Sequence, residues 1–230
     1  MGISWDGVSS LAPLRRFAAI GDLHAEDARL EHVLTWLSGQ QVDAVLSVGD
    51  IVDGAGSLDR CCELLATNAA IVVRGNHERW LLEDPFACQP QFIGAGSLGF
   101  LAALPVTRRL ATVRGDLLLC HGVGDNDMVR LHPEHQETSR AATHALEVLL
   151  ADRALRLVVG GHTHRRMVRA FARAGAPPLV FINPGTLHRG YPASFAVVDL
   201  GRGQVEFFEV FAEPGSDIVV EPAEVALLPA

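Results

Sequence analysis

The run Ala44-Val45-Leu46-Ser47-Val48-Gly49-Asp50-Ile51-Val52-Asp53 decides how the rest of the chain is read. Its apolar first half, β-branched at several positions and closed by Gly49, predicts a strand buried on both faces whose carboxyl end opens into a loop. Asp50 then stands at the rim of a sheet, where α/β folds gather ligand and catalytic groups. The same grammar, an apolar run followed by Gly or Cys and then Asp, Asn or His, recurs four times. Two recurrences are Ala18-Ala19-Ile20-Gly21-Asp22-Leu23-His24 and Ile71-Val72-Val73-Arg74-Gly75-Asn76-His77-Glu78. The others are Leu117-Leu118-Leu119-Cys120-His121-Gly122 and Leu157-Val158-Val159-Gly160-Gly161-His162-Thr163-His164. Five predicted strand ends therefore each deliver hard metal ligands.

With 230 residues, 49% of them hydrophobic, the chain can bury its core as one domain. A net charge of -8 argues against general nucleic-acid or membrane-surface binding, because no broad basic face is available. An anionic substrate must be attracted locally. Cys61, Cys62, Cys88 and Cys120 show no CxxC spacing, and no targeting segment is visible at the amino terminus, which predicts a reduced, cytoplasmic setting. Apolar runs are broken well short of the roughly 18 residues a membrane span needs.

In chain order, Met1 to Arg15 read as an irregular lead-in and Arg16 to Ile20 as the first strand. Asp27 is placed to cap a helix carrying Leu30, Val33, Leu34 and Leu37 at helical spacing, and Gly39 to stop it. After the Ala44 strand, a helix near Leu58 to Ala66 leads to the Ile71 strand, so strands alternate with helices and a parallel sheet follows. A short helix is expected over Arg79 to Leu82, with Asp84-Pro85 and Gln89-Pro90 as breaks, and another near Leu98 to Leu104. Val106 to Val113 and Leu117 to Cys120 read as a hairpin turning at Arg114-Gly115-Asp116. Thr138 or Ser139 caps a helix running to about Asp152. After the Leu157 strand, Met167 to Arg173, Leu179 to Ile182, Ser194 to Leu200 and Gln204 to Phe211 look like a meander. Beyond Glu213 a loose or edge-covering tail is expected.

The loops together offer Asp22, His24, Asp50, Asn76, His121, His162 and His164, with His77 and Asp53 beside them. Carboxylate, imidazole and amide ligands without thiolates suit manganese, iron or zinc in open coordination rather than a closed structural zinc. Seven ligands exceed the needs of one ion. If Asp50 bridges, they divide into two sites roughly 3.5–4 Å apart, an arrangement that activates water and clamps a phosphoryl group.

In these residues the chain resembles the calcineurin-like metallophosphoesterases. The blocks are Asp22-Leu23-His24, Gly49-Asp50, Gly75-Asn76-His77-Glu78, His121 and Gly161-His162-Thr163-His164, in the family's order. The resemblance implies a four-layer α/β fold, two mixed β-sheets packed as a sandwich flanked by helices. It implies two divalent ions, manganese first, with iron, zinc, nickel or cobalt as alternatives. Asp22, His24, Asp50 and His164 are implied to hold one ion, and Asp50, Asn76, His121 and His162 the other. Water activated between them attacks phosphorus in line, with His77 as general acid and Asp53 orienting it.

Gly54 departs from the family's protein serine/threonine phosphatases, which carry a phosphate-binding arginine there. The compact length and Asn183-Pro184-Gly185-Thr186 look more like small bacterial and archaeal phosphodiesterases. The implied activity is hydrolysis of small phosphodiesters, possibly nucleotides. Alternatives are a phosphomonoesterase or protein phosphatase on the same site and, more remotely, a non-catalytic scaffold. Arg79, Arg165 and Arg166 are candidates for substrate oxygens, with a solvated surface role as the blander reading. His32, His132, His135, His144 and His188 read as ordinary histidines, His132 and His135 as solvent-exposed, and Cys61 and Cys62 as inert helix residues. Oligomeric state, the cellular metal and the physiological substrate are not encoded legibly.

Overall fold

The computed structural model describes residues 12–84, 93–134, 139–212 and 217–229. Its first half runs through β1 (Arg16–Ile20), α1 (Asp27–Ser38), β2 (Ala44–Ser47), α2 (Leu58–Thr67), β3 (Ile71–Val72), α3 (Asn76–Glu83) and α4 (Ala95–Ala102). It continues with β4 (Arg108–Thr112), β5 (Gly115–Leu119), α5 (Arg140–Ala151), β6 (Leu155–Val159), β7 (Met167–Arg173) and β8 (Ala176–Asn183). The last elements are β9 (Ser194–Asp199), β10 (Gln204–Phe211) and β11 (Val219–Leu227).

Strand periodicity builds the layers. On β1, Phe17 and Ala19 enter one core while Ala18 and Ile20 enter another, and on β9 Ala196 and Val198 oppose Phe195 and Val197 in the same way. A strand apolar on both faces must be covered on both. One sheet has the order β11-β10-β9-β1-β2-β3 and the other β4-β5-β6-β8-β7. β1, β2 and β3 are parallel neighbours, as are β5, β6 and β8, whereas β9, β10, β11, β4 and β7 join antiparallel, so both sheets are mixed. Leu46, Val48, Leu119, Leu157 and Ile182 fill the seam between the sheets. Helices α1 and α2 cover the outer face of the first sheet through Leu30, Val33, Leu34, Cys61 and Leu65. Leu146 and Leu149 of α5 cover the second. The expected sandwich of two mixed sheets flanked by helices is the observed fold.

Several local expectations are corrected. Glu26, not Asp27, precedes α1, and Asp27 accepts a hydrogen bond from the Ser57 backbone N–H at 2.9 Å, so a tertiary contact has taken its side chain. The hairpin turns at Val113-Arg114, because Thr112 pairs with Gly115, whose φ of 114° only glycine adopts without strain. The helices α3 and α4 begin three residues earlier than expected. The meander is divided: β7 and β8 belong to one sheet, β9 and β10 to the other. Of the two readings of the tail, the edge-covering one holds for Val219–Leu227, which form the nine-residue edge strand β11 on β10. Its Pro222 lies opposite Phe208, where the pairing register shifts, and edge strands tolerate a missing N–H. Ser139 caps α5, its Oγ accepting from Ala142 N at 3.1 Å. Thr138, His135, Cys88, Pro85, Gln89, Pro90 and most of the lead-in lie outside the described residues. No helix among the described residues is long and apolar enough to cross a membrane.

Phe195 is fully buried, stacked on Phe208 at 5.3 Å between ring centroids and set edge-on to Trp36 at 5.5 Å. Replacing Phe195 with Ala is expected to lower unfolding stability by about 3–5 kcal/mol. Denaturant titration reads this as a lower midpoint with an unchanged slope.

Candidate functional site

The parallel strands deliver their next residues to one end of the sandwich. Asp22 and His24 follow β1, Asp50 follows β2, Asn76 and His77 open α3 just beyond β3, His121 follows β5, and His162 and His164 follow β6. The loops are laced together by backbone bonds: Leu23 N and His24 N both donate to Asp50 O, at 2.9 and 2.8 Å. The nine residues singled out from the sequence all meet here.

Two clusters bring ligand atoms within 4.8 Å of one another, His24 with Asp50 and His164, and Asp50 with His121 and His162. Asp50 belongs to both. In the first, the Nε2 atoms of His24 and His164 face each other at 3.1 Å. In the second, His121 Nε2 lies 2.9 Å from Asn76 Oδ1, 3.2 Å from His162 Nδ1 and 3.3 Å from Asp50 Oδ2. Asp22 stands beside rather than within either cluster, its Oδ1 accepting from His162 N at 3.0 Å and lying 3.9 Å from His164 Nε2. Its Oδ2 is buried without a hydrogen-bond partner, as is His164 Nδ1. A wholly buried carboxylate oxygen with no donor is expensive unless a cation faces it, so the donor set fits divalent ions. Ring orientation agrees. His24 Nδ1 is within 3.1 Å of the Val52 and Asp53 carbonyls and His121 Nδ1 is 2.9 Å from Val48 O, which leaves Nε2 of each turned inward.

Burial, reinforced by neighbouring imidazoles, pushes His162 down to about 4 and His164 down to about 3. His24 is also lowered, chiefly by burial. All three are neutral at pH 7, the state that ligates a metal. Burial and the Asp50 charge push Asp22 up to about 7, against the pull of His121. Burial would also raise Asp50, but His121 overrides it and holds the carboxyl well below the usual range. Burial opposes charge on His121, yet the Asp50 and Asp22 carboxylates raise it above the ordinary imidazole range.

His77 Nδ1 bonds Asp53 Oδ2 at 2.6 Å, and its backbone N–H donates to Asp50 Oδ1 at 3.0 Å. Burial lowers its basicity, but the Asp53 contact and the Asp50 charge more than compensate and raise it. Glu78, also fully buried, was not given a role by sequence reasoning although it sits in the same block. Its two oxygens accept four backbone N–H groups, from Asp50 (2.9 Å), Ile51 (2.6 Å), Val52 (3.0 Å) and Gly75 (2.8 Å). The three-residue spacing from Gly75 was the available signal.

Asn183 and Thr186 brace the opposite wall. Asn183 Nδ2 donates to Gly161 O at 2.9 Å and Thr186 Oγ1 donates to Asp22 O at 2.7 Å. His188, read from the sequence as an ordinary histidine, lies beside the clusters without joining either, its ring 5.0 Å from that of His24. Nothing in its spacing marks it. His132 and His144 are exposed and His32 half-buried. Cys61, Cys62 and Cys120 are unpaired and buried, and burial pushes the Cys62 and Cys120 thiols up to about 12.

Three candidate arginines are already engaged. Arg79 pairs with Asp127 at 2.7 Å, Arg165 with Glu134 at 2.9 Å, and Arg166 stands 2.8 Å from Glu209. Arg130 was missed, and its Nε donates to His162 Nε2 at 3.3 Å. At Gly54 a Cβ would lie 1.6 Å from His24 O, so this backbone admits no arginine there.

The family model described as calcineurin-like phosphoesterase matches residues 15–166. Among solved structures the chain is similar to a metallophosphoesterase from Sphaerobacter thermophilus, with 24% identity and a TM-score of 0.62 over 87% of this chain and 89% of that one. A hypothetical protein from Pyrococcus horikoshii OT3 gives 16% identity and a TM-score of 0.64 over 86% and 89%. A novel archaeal phosphodiesterase gives 15% and 0.54 over 84% and 99%. These likenesses show a shared fold. No curated protein matches the chain.

Replacing Glu78 with Gln substitutes an amide NH2 for an oxygen that two backbone donors face. A stability loss of about 2–4 kcal/mol is expected, with weaker metal retention, since the Asp50 loop loses its brace. Chemical denaturation and metal analysis after gel filtration measure the two effects.

Proposed function

Because this chain belongs to the calcineurin-like phosphoesterase family, we propose that it hydrolyses small phosphodiesters, nucleotides among them, at a centre holding two divalent ions, with manganese the first choice. The observation that carries this reading is the pair of clusters sharing Asp50, with the donorless Asp22 oxygen beside them. One ion would be held by Asp22, His24, Asp50 and His164, the other by Asp50, Asn76, His121 and His162. Such a pair of ions supplies Lewis acidity, which activates water and neutralises phosphoryl oxygens.

The chain's own residues supply orientation and a proton. The Asp53 contact fixes the His77 ring with Nδ1 on the carboxylate, leaving Nε2 to carry the proton that a leaving oxygen requires. Glu78 holds the Asp50 backbone in place, and Asn183 and Thr186 hold the Gly161 and Asp22 backbones against it. Gly54 favours diesters: protein phosphatases grip a phosphoryl dianion with an arginine at that position, and a monoanionic diester demands less positive charge. The reduced, buried cysteines are consistent with a cytoplasmic setting.

Asp50→Asn is expected to abolish activity and metal retention together, because the shared ligand serves both clusters; two retained metals with a normal rate would sink the assignment. His77→Ala should slow alkyl monoesters at least tenfold more than aryl diesters, whose good leaving groups need little protonation. Equal losses on both would remove His77 from the general-acid role. Metal-stripped protein refilled with manganese, assayed on a bis-aryl diester and the matching monoester, separates diesterase from monoesterase. Absent turnover with metals bound would favour a scaffold.

A further inference from the structure

Beside the His162 wall of the centre lies a cleft of about 740 Å³, within the size range of small-molecule sites. Its lining includes Arg130, Arg165, Arg169, His132, Met128 and Leu131. The whole chain carries 27 acidic against 19 basic residues, yet among the described residues of this lining three arginines face one carboxylate, Glu134. Glu134 is committed to Arg165. Among the described residues neither Arg130 nor Arg169 has a carboxylate partner.

Both are nevertheless oriented. Arg169 Nη1 donates to His132 O at 2.8 Å, and its guanidinium lies 4.9 Å from the centroid of the Phe171 ring. Arg130 Nε is 3.3 Å from His162 Nε2, while the other nitrogen of that imidazole is 3.2 Å from His121 Nε2. The cleft therefore begins one imidazole ring away from the metal-binding side chains. Met128, 42% exposed, adds apolar surface beside the cations, with the buried Leu131 behind it in the lining.

We propose that this cleft binds a second phosphate group of the substrate, distinct from the phosphodiester being cleaved, with Arg130 and Arg169 as its guanidinium partners. The proposal rests on the phosphoesterase reading for which bond is cleaved, but not for the binding itself. The substrate class is a small diester that also carries a terminal phosphate, with an organic part lying against Met128 and Leu131. Planar guanidinium forks match phosphate oxygens and give charge-assisted hydrogen bonds.

Two measurements test it. In the first, thymidine 3′,5′-bisphosphate is titrated into chelator-treated, metal-free protein. Wild type is expected to bind it, and Arg169→Met to weaken binding about tenfold, with Arg169→Lys intermediate, as loss of a charge-assisted contact predicts. Unchanged affinity in Arg169→Met, or no wild-type binding beyond that of thymidine, would overturn the proposal. Matching thermal unfolding of the variants excludes a folding defect. In the second, manganese-loaded protein is assayed on the 4-nitrophenyl ester of thymidine 5′-phosphate with and without a 3′-phosphate. Wild type should prefer the phosphorylated ester through KM, and Arg169→Met should lose about tenfold of that preference. Preference retained in the variant, or absent from wild type, counts against the cleft. Failure of both esters to react would reject the phosphoesterase reading, while the metal-free titration still decides the cleft.

Discussion

The carboxylate of Asp50 is 1% exposed at the end of the seam between two sheets, and its neighbours are arranged to offset its charge. A buried anion is tolerable only with partners, and Asp50 has His77 N on one oxygen and His121 Nε2 near the other. Asp22, equally buried, compounds the demand. Together they raise His121, the one imidazole of the two clusters that is held charged. Two buried carboxylates ringed by imidazoles form a donor set that could hold a metal, whatever the family.

Holding such a constellation bends the backbone out of its preferred regions. His24, Asp50, Asp53, His162 and His164 all have positive φ, from 47° to 66°, although none is glycine. Each such residue carries strain of order 1 kcal/mol or more, and it persists because its surroundings fix it. Glu78 and Asn183 are part of those surroundings, bonding the Asp50 backbone and the carbonyl just before His162, while Thr186 bonds Asp22 O two residues before His24. Glycine appears where backbone approaches a ligand too closely for a side chain: a Cβ on Gly75 would sit 2.2 Å from Asp50 Oδ1.

Much of this was legible in the sequence because the fold and the site share one pattern. An apolar run closed by Gly and a polar ligand states both the strand and the residue at its end. Leu30, Val33, Leu34 and Leu37 likewise name the buried face of α1 by spacing alone. What spacing could not convey was contact between distant segments. Asp27 looked like a cap until the Ser57 backbone claimed it, and His188 reaches His24 only through the fold. β11 was hidden because Pro, Glu and Ala read as loop, whereas at a sheet edge Glu221, Pro222 and Glu224 discourage pairing with other chains. The arginine cleft is assembled from the segment after β5 and from β7, so no local window contains it.

The two clusters have a mechanical meaning as well. His24 and Asp50 come from the six-stranded sheet and His164 from the five-stranded one, while Asp50 meets His121 and His162 across the same divide. An ion in either cluster would therefore be a rivet between the two halves of the sandwich. Its binding energy adds to the cohesion of the fold, about 4 kcal/mol when free metal exceeds its dissociation constant a thousandfold. Metal bound there would then stabilise the packing of one sheet on the other as well as complete the site.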